Sequence, residues 1–378
     1  MNGILDAGWR TFALLIVTTF FQGSSFAKAL VPSAFAIGLL ATPITVFYFS
    51  KLGIKTAKLS SGGYVVATIC YIVASMGTDS LWLFLISGVI GASALSQQMP
   101  LLIHIYSTNY TTAQRGKKVA VGISLGVGLA LPFGLLGGMM LERDITRFPL
   151  LFQIMALACF LSAVVMWFMP SEKLEVSKGG NPLRHLSLVW KDKVFGCMLG
   201  MWMILGFGNL ATMPLQIEYM TGGIYGIQAS YTQVAIASII IPSIARMLAG
   251  TVWGVAFDKY NYFLIRGGAS AVVLVAMLVF FFSKSMAGIY IGAAGYGIAM
   301  AGANVNWSLW VTKFAPIGQE ANYMSIHSFM TGVRGLVAPF FGFYMITLFS
   351  LRETIVFGAV LVALSIILLY PISQMTRR

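Results

Sequence analysis

Long apolar runs, each closed by a short cluster of charge, Pro or Asn, take up nearly the whole chain. A helix needs roughly 20 apolar residues to cross a bilayer. Twelve runs meet that length, over about 10–27, 33–50, 58–78, 81–105, 118–141, 148–169, 194–215, 230–256, 265–283, 286–311, 322–348 and 353–374. Barrel strands would be shorter and would alternate apolar with polar residues, whereas these runs are evenly apolar. The pattern predicts an all-α polytopic membrane protein with twelve transmembrane helices. The join between the first two runs is very short. Residues 11–21 followed by Ala27-Lys28-Ala29 have the outline of a signal peptide and its cleavage site. Only Arg10 precedes the apolar part as positive charge, and losing this run would spoil the even count, so it is read as a retained helix.

The longest polar interval, Ser171–Lys193, divides the runs six and six. The expected organisation is an N-terminal six-helix bundle over 1–170, a cytoplasmic linker over 171–193 and a C-terminal six-helix bundle over 194–378. Within the linker, Asn181 to Lys193 is expected as a short amphipathic helix on the membrane surface. The halves look related. Gly128-Leu-Ala-Leu-Pro132-Phe133 in the fifth run matches Gly335-Leu-Val-Ala-Pro339-Phe340 in the eleventh, at an offset of 207. At the same offset Gly88 meets Gly295 and Gln97 meets Asn304, while Ser50-Lys51 meets Asp258-Lys259 at 208. One register across several run pairs implies parallel six-helix repeats, a plan many secondary transporters share.

At these residues the chain resembles the major facilitator superfamily. That family's signature loop has a glycine, three variable residues, an aspartate and a basic residue, then a further glycine with basic residues. Gly254-Val-Ala-Phe-Asp258-Lys259 matches its first part; Ser50-Lys51-Leu52-Gly53-Ile54-Lys55 keeps the glycine and basic residues but lacks the acid. The resemblance implies that Gly254, Asp258, Lys259, Lys51 and Gly53 belong to a gating loop that braces helices at the cytoplasmic end. Missing acid in the first copy puts that bracing in doubt on one side. Gly122/Gly126, Gly134/Gly138 and Gly250/Gly254 are small-residue pairs that allow close helix approach, and a sliding interface would use the same residues.

Composition and charge narrow the picture. Hydrophobic residues make up 58% and charged residues 9%, which excludes an ordinary soluble domain. A net charge of +13 would suggest nucleic acid in a soluble protein, but here it follows topology. With both termini inside, 17 of the 24 Lys and Arg, Arg266 among them, fall on the cytoplasmic side; Lys28, Arg143, Arg147, Lys284 and Arg352 fall outside. This is the positive-inside bias, expected of a cell (inner) membrane protein with cytoplasmic termini. Cys70, Cys159 and Cys197 lie in or at the edge of runs without paired spacing, and are read as packing residues.

The two remaining arginines, Arg246 and Arg334, lie deep inside the eighth and eleventh runs. A charge at mid-bilayer costs at least about 2.5 kcal/mol, so it has a partner or a task. No Asp or Glu sits at mid-depth to neutralise either. A guanidinium suits carboxylate or phosphate bidentately; equally, it can bond helix-end carbonyls or a loop acid. Arg334 shares a helical stripe with His327 and Thr331. Other polar stripes are Ser93, Gln97 and His104; Asn209, Thr212 and Gln216; Asn304 and Trp307; and Thr18, Gln22 and Ser25. The resemblance places runs three, six, nine and twelve toward lipid, and their only Arg, His, Asn or Gln within the runs is Gln153 apart from Arg266 and Gln374 at edges. Polar residues thus gather where a cavity is expected, since lipid cannot hydrogen-bond them. The candidate substrate residues are Arg334, Arg246, Gln97, Asn304, Trp307, Asn209 and Gln22. His327 and His104 are candidates for a coupling proton, or plain hydrogen-bonded residues at a helix interface.

No zinc-protease motif, P-loop or paired mid-membrane carboxylates occur, so the chain is not read as an enzyme and direct ATP drive is disfavoured. The expectation is a secondary active or facilitative transporter of a small anionic or zwitterionic solute, working by alternating access. It is expected as a monomer in contact with membrane lipids, with a coupling proton or counter-ion, no cofactor and no nucleic acid. The rival readings are a non-transporting scaffold or assembly factor of the same architecture, and a lipid flippase.

Overall fold

A computed structural model of the chain describes residues 2–174, 184–223, 226–316 and 320–375. It divides into two compact units, Met1–Leu183 and Arg184–Arg378. Among the described residues, eleven helices are long and apolar enough by composition to cross a membrane. A twelfth precedes them over residues 2–19, made of α-helix on both sides of a π-helical segment, Gly8–Ala13. The protein is a multi-pass integral membrane protein.

In the first unit the helices are α1 (2–19), α2 (Ser25–Lys51), α3 (Thr56–Ser75), α4 (Leu81–Tyr106), α5 (Thr112–Arg143) and α6 (Phe148–Phe168). In the second they are α7 (Lys193–Thr221), α8 (Tyr231–Lys259), α9 (Tyr262–Phe282), α10 (Met286–Leu309), α11 (Glu320–Leu348) and α12 (Leu351–Met375). Their starts are set by side chains that take up unpaired backbone donors. Ser24, Ser80, Asp192, Asn261 and Ser285 each accept from a backbone N–H two or three residues on. Ser230 and Gln233 form a reciprocal capping box at the start of α8.

The sequence placed the first helix over about 10–27, and the structure shifts it toward the N-terminus. Asp6 and Arg10 lie one turn apart and pair at 2.5 Å, so residues that break the apolar pattern still continue the helix. The chain turns after Thr19, and Gln22 sits in that turn with a left-handed φ of 47°. Ala27 and Ala29, the possible cleavage motif, are fully buried in α2, and the Trp9 indole donates to the Val31 carbonyl at 2.9 Å. Gly3 packs onto the backbone of Gly126, so α1 and α5 approach more closely than any side chain would permit.

The first unit ties its helices with paired polar groups. Gln97 interrupts α4; its amide donates to the Gly38 carbonyl, and its Oε1 accepts from Thr45 at 2.6 Å. The neighbouring Gln98 exchanges bonds with Ser60, accepting from its hydroxyl at 2.5 Å and donating to its carbonyl at 3.2 Å. Ser93 donates to Ala34 O, and Ser61 to Ala163 O, each at 2.8 Å. The loop after α2 lacks its acid, yet backbone pairing holds it: Lys55 and Lys173 form an antiparallel bridge, and Thr56 donates twice to Glu172 O. Gly53 makes the turn with φ 62°, where a side chain would be strained.

In the linker, residues 175–183 lie outside the described residues, and with them the first part of the expected amphipathic helix. The rest forms short helical turns, Arg184–Ser187 and Leu188–Lys191. The second unit is centred on aromatic packing: Phe195, Trp202, Tyr262, Trp310 and Tyr323 belong to one buried cluster with Met198, Ile265 and Leu369.

Candidate functional site

Within that cluster two arginines meet one indole. Trp202, on α7, is only 3% exposed. The Arg266 guanidinium of α9 lies 3.5 Å above the centre of its ring, and that of Arg334, from α11, lies 5.8 Å from it. Both arginines are buried. Arg334 Nη1 donates to the Trp202 carbonyl, while its Nε and the Nε and Nη2 of Arg266 have no acceptor among the described residues. Neither arginine makes an ion pair among the described residues. Gly206, one turn beyond Trp202, makes this arrangement possible, because a Cβ at that position would overlap the Arg334 guanidinium.

Magnitudes decide how much this geometry explains. A desolvated cation–π contact contributes about 2 kcal/mol, and a hydrogen bond to a charged group about 1.5–3 kcal/mol. A buried arginine costs about 2.5–3.5 kcal/mol on the insertion scale. Each arginine therefore comes near balance through what it makes with Trp202 while keeping donors to spare. An anion arriving there would meet charge already desolvated.

His327 stands two turns before Arg334 on α11, fully buried among Trp202, Trp310 and Trp307 at ring distances of 5.1, 5.2 and 5.4 Å. Neither of its nitrogens has a partner among the described residues. Trp307 donates from Nε1 to Thr331 Oγ1 at 3.4 Å, and Thr331 donates to the His327 carbonyl at 2.8 Å. At the edge of the cluster Tyr323 donates to Asp192 at 2.9 Å, and the same carboxylate group caps α7. Arg334, His327, Trp307 and Thr331 of the sequence-derived candidates thus lie together.

The other candidates are not members of the aromatic cluster. Arg246 is half-buried on α8 with no hydrogen bond or ion pair among the described residues. Asn209 is half-buried on α7, and its Oδ1 has no partner there. Asn304 is exposed, whereas its neighbour Asn306 is fully buried and donates to Gly302 O at 2.8 Å. Gln97 binds α2 as described, His104 is half-buried on α4, and Gln22 is exposed in a turn rather than on the first helix. Asp258 and Lys259 are exposed at the end of α8, Gly254 has open space around it, and Lys51 lies 4.2 Å over the Phe47 ring.

Arg266, counted in the sequence among the basic residues of the cytoplasmic side, is buried inside a helix and not at its surface. The ninth helix starts at Tyr262, capped by Asn261, three residues before the run's apparent edge. Arg266 thereby enters the helix by a full turn and is 1% exposed. Nothing in the local sequence marks its stacking on an indole 64 residues earlier.

Twelve apolar helices in two units, with buried polar groups inside the second, describe the fold of a membrane transporter. The Major Facilitator Superfamily profile matches residues 2–333, and the chain belongs to that family. Among solved structures, the nucleoside transporter NupG superposes with a TM-score of 0.74 at 13% identity, over 100% of this chain and 96% of that one. A point mutant of NupG gives 0.75 at 13% identity, over 99% and 96%. A bacterial homologue of the human lysosomal transporter Spinster, inward-facing and occupied, gives 0.70 at 14%, over 98% and 94%. At such identities these neighbours share the fold. Among curated proteins, none matches the sequence.

Proposed function

We infer that the chain is a secondary transporter of a small solute bearing an anionic group, either an anion or a zwitterion. The observation that carries this reading is the pair of buried guanidinium groups on Trp202, with spare donors and no carboxylate counter-charge among the described residues. A carboxylate or phosphate would take up donors that protein acceptors leave over. Arg246 supplies a third candidate contact from α8, and Asn209 and Trp307 supply neutral polar groups. Movement of the two units about one another would expose the solute to each side in turn, as repeat-built transporters do. Both termini face the cytoplasm in this reading, since that placement gives the basic residues their bias.

Cationic cargo is disfavoured by the same residues: a cation would need a buried acid, and the cluster offers two more cations. The test is counterflow in proteoliposomes loaded with candidate carboxylates, phosphates and neutral nucleosides. The expected result is exchange of an anionic solute that Arg334→Ala abolishes while the variant still inserts and folds. Exchange of neutral solutes alone, indifferent to Arg334, would refute the reading.

A further inference from the structure

The second unit contains a cavity of about 620 Å³ between α9 and α12, lined by Asn261, Phe263, Leu264, Gly267, Ile366 and Tyr370, with Gly268, Leu369 and Ser373. That volume lies in the range of about 300–1,000 Å³ typical of ligand sites. Its two ends differ in chemistry. Asn261 and Ser373 lie at the start of α9 and the end of α12. Gly268 lies about 10 Å further along α9 at 1.5 Å per residue, among apolar side chains.

The first unit makes the contrast sharp. At the repeat offset of 207, Gly267 and Gly268 correspond to Ser60 and Ser61, Ile366 to Cys159, and Tyr370 to Ala163. There Ser61 donates to Ala163 O at 2.8 Å and Cys159 is fully buried, so α3 and α6 are closed against each other. In α9 both serines are replaced by glycine, which removes the hydrogen bond, and a groove remains. A Cβ on Gly267 or Gly268 would meet nothing closer than 3.6 Å, so tight helix packing does not require glycine here.

We propose that this groove between α9 and α12 binds one anionic phospholipid, its acyl chain lying along Gly267 and Gly268 and its headgroup at Asn261, Ser373 and Lys259. Charge complementarity selects the headgroup. Lys259 is exposed at the end of α8, and being two residues from Asn261 its backbone lies within about 7 Å of the polar end. Membrane exposure selects a lipid over a water-soluble ligand: Leu264 is 66% exposed beside the groove, Ile367 67% and Tyr370 73%. A tyrosine at such a boundary places its ring in hydrocarbon and its hydroxyl among headgroups.

The test is native mass spectrometry of the full chain in mild detergent, offered phosphatidylglycerol or phosphatidylcholine with the same acyl chains. Wild type is expected to retain one phosphatidylglycerol in preference to phosphatidylcholine. Gly268→Leu and Ile366→Trp, which fill the groove from opposite walls, are expected to lose that adduct at unchanged melting temperature. Lys259→Gln is expected to lower the preference about fivefold, the effect of one basic residue at an anionic surface. Equal retention of phosphatidylglycerol by wild type and a folded groove-filling variant would overturn the proposal. So would retention of both lipids alike, or a groove-dependent dimer without lipid.

Discussion

The two six-helix units share a register but differ in how much buried polarity they leave unpaired: Thr18 and Tyr71 keep an unpartnered hydroxyl in the first among the described residues, and far more atoms do so in the second. In the first, Gln97, Gln98, Ser60, Ser61 and Ser93 all find partners on neighbouring helices. In the second, Arg266, Arg334, His327, Asn209 and Asn306 each keep at least one buried polar atom without a partner among the described residues. Paired groups stiffen a bundle, because breaking one leaves the other unsatisfied in hydrocarbon. Unpaired donors cost stability and are retained where a ligand meets them. On the proposed reading, scaffold work falls to the first unit and solute chemistry to the second.

The strongest way to break that comparison is removal of Arg334. Truncating one member of a desolvated charge contact costs about 2–5 kcal/mol, so Arg334→Ala should weaken solute binding about 30-fold or more in an equilibrium titration. Retained affinity would return the arginine to a purely structural role. Next comes Gly206→Ala, whose methyl group occupies the space of the guanidinium. Crowding of this kind costs about 1–3 kcal/mol. It should cut transport by about tenfold or more and lower the melting temperature modestly, whereas Gly250→Ala, with open space around it, should change neither.

In the first unit the effects should fall on stability instead. Gln98→Leu leaves the Ser60 hydroxyl and carbonyl without their partner, at about 1–3 kcal/mol. A lower melting temperature with unchanged solute affinity would support the division of labour; a large affinity loss with intact stability would blur it. The smallest effect is expected for Asn304→Ala. That residue is exposed, so binding and stability should move by less than about 0.5 kcal/mol in the same assays.

The helices were legible because hydrocarbon imposes length and uniform apolarity on anything that crosses it. The first helix was placed too late for a related reason: the apolar run begins only near Arg10, although Asp6 and Arg10 pair within a helix that starts earlier. Arg334 was visible as a charge far inside an apolar run. Arg266 was not, since a basic residue near a run's edge looks like a topological anchor, and only the cap at Asn261 and the indole of Trp202 show otherwise. Gln97 looked like a cavity residue by helical spacing, but spacing gives a face and not a partner; it spends its amide on Gly38 and Thr45. The Gly267-Gly268 pair gained meaning only when set against Ser60-Ser61 in the other repeat.

The claim that buried guanidinium groups await an anion is tested most directly by ligand-dependent melting of the purified protein against matched carboxylates, phosphates and their neutral analogues. An anionic member should raise the melting temperature of wild type, and Arg334→Ala and Arg266→Gln should each erase that shift. Stabilisation by the neutral analogue alone, or by the anion to the same extent in both variants, would contradict the account.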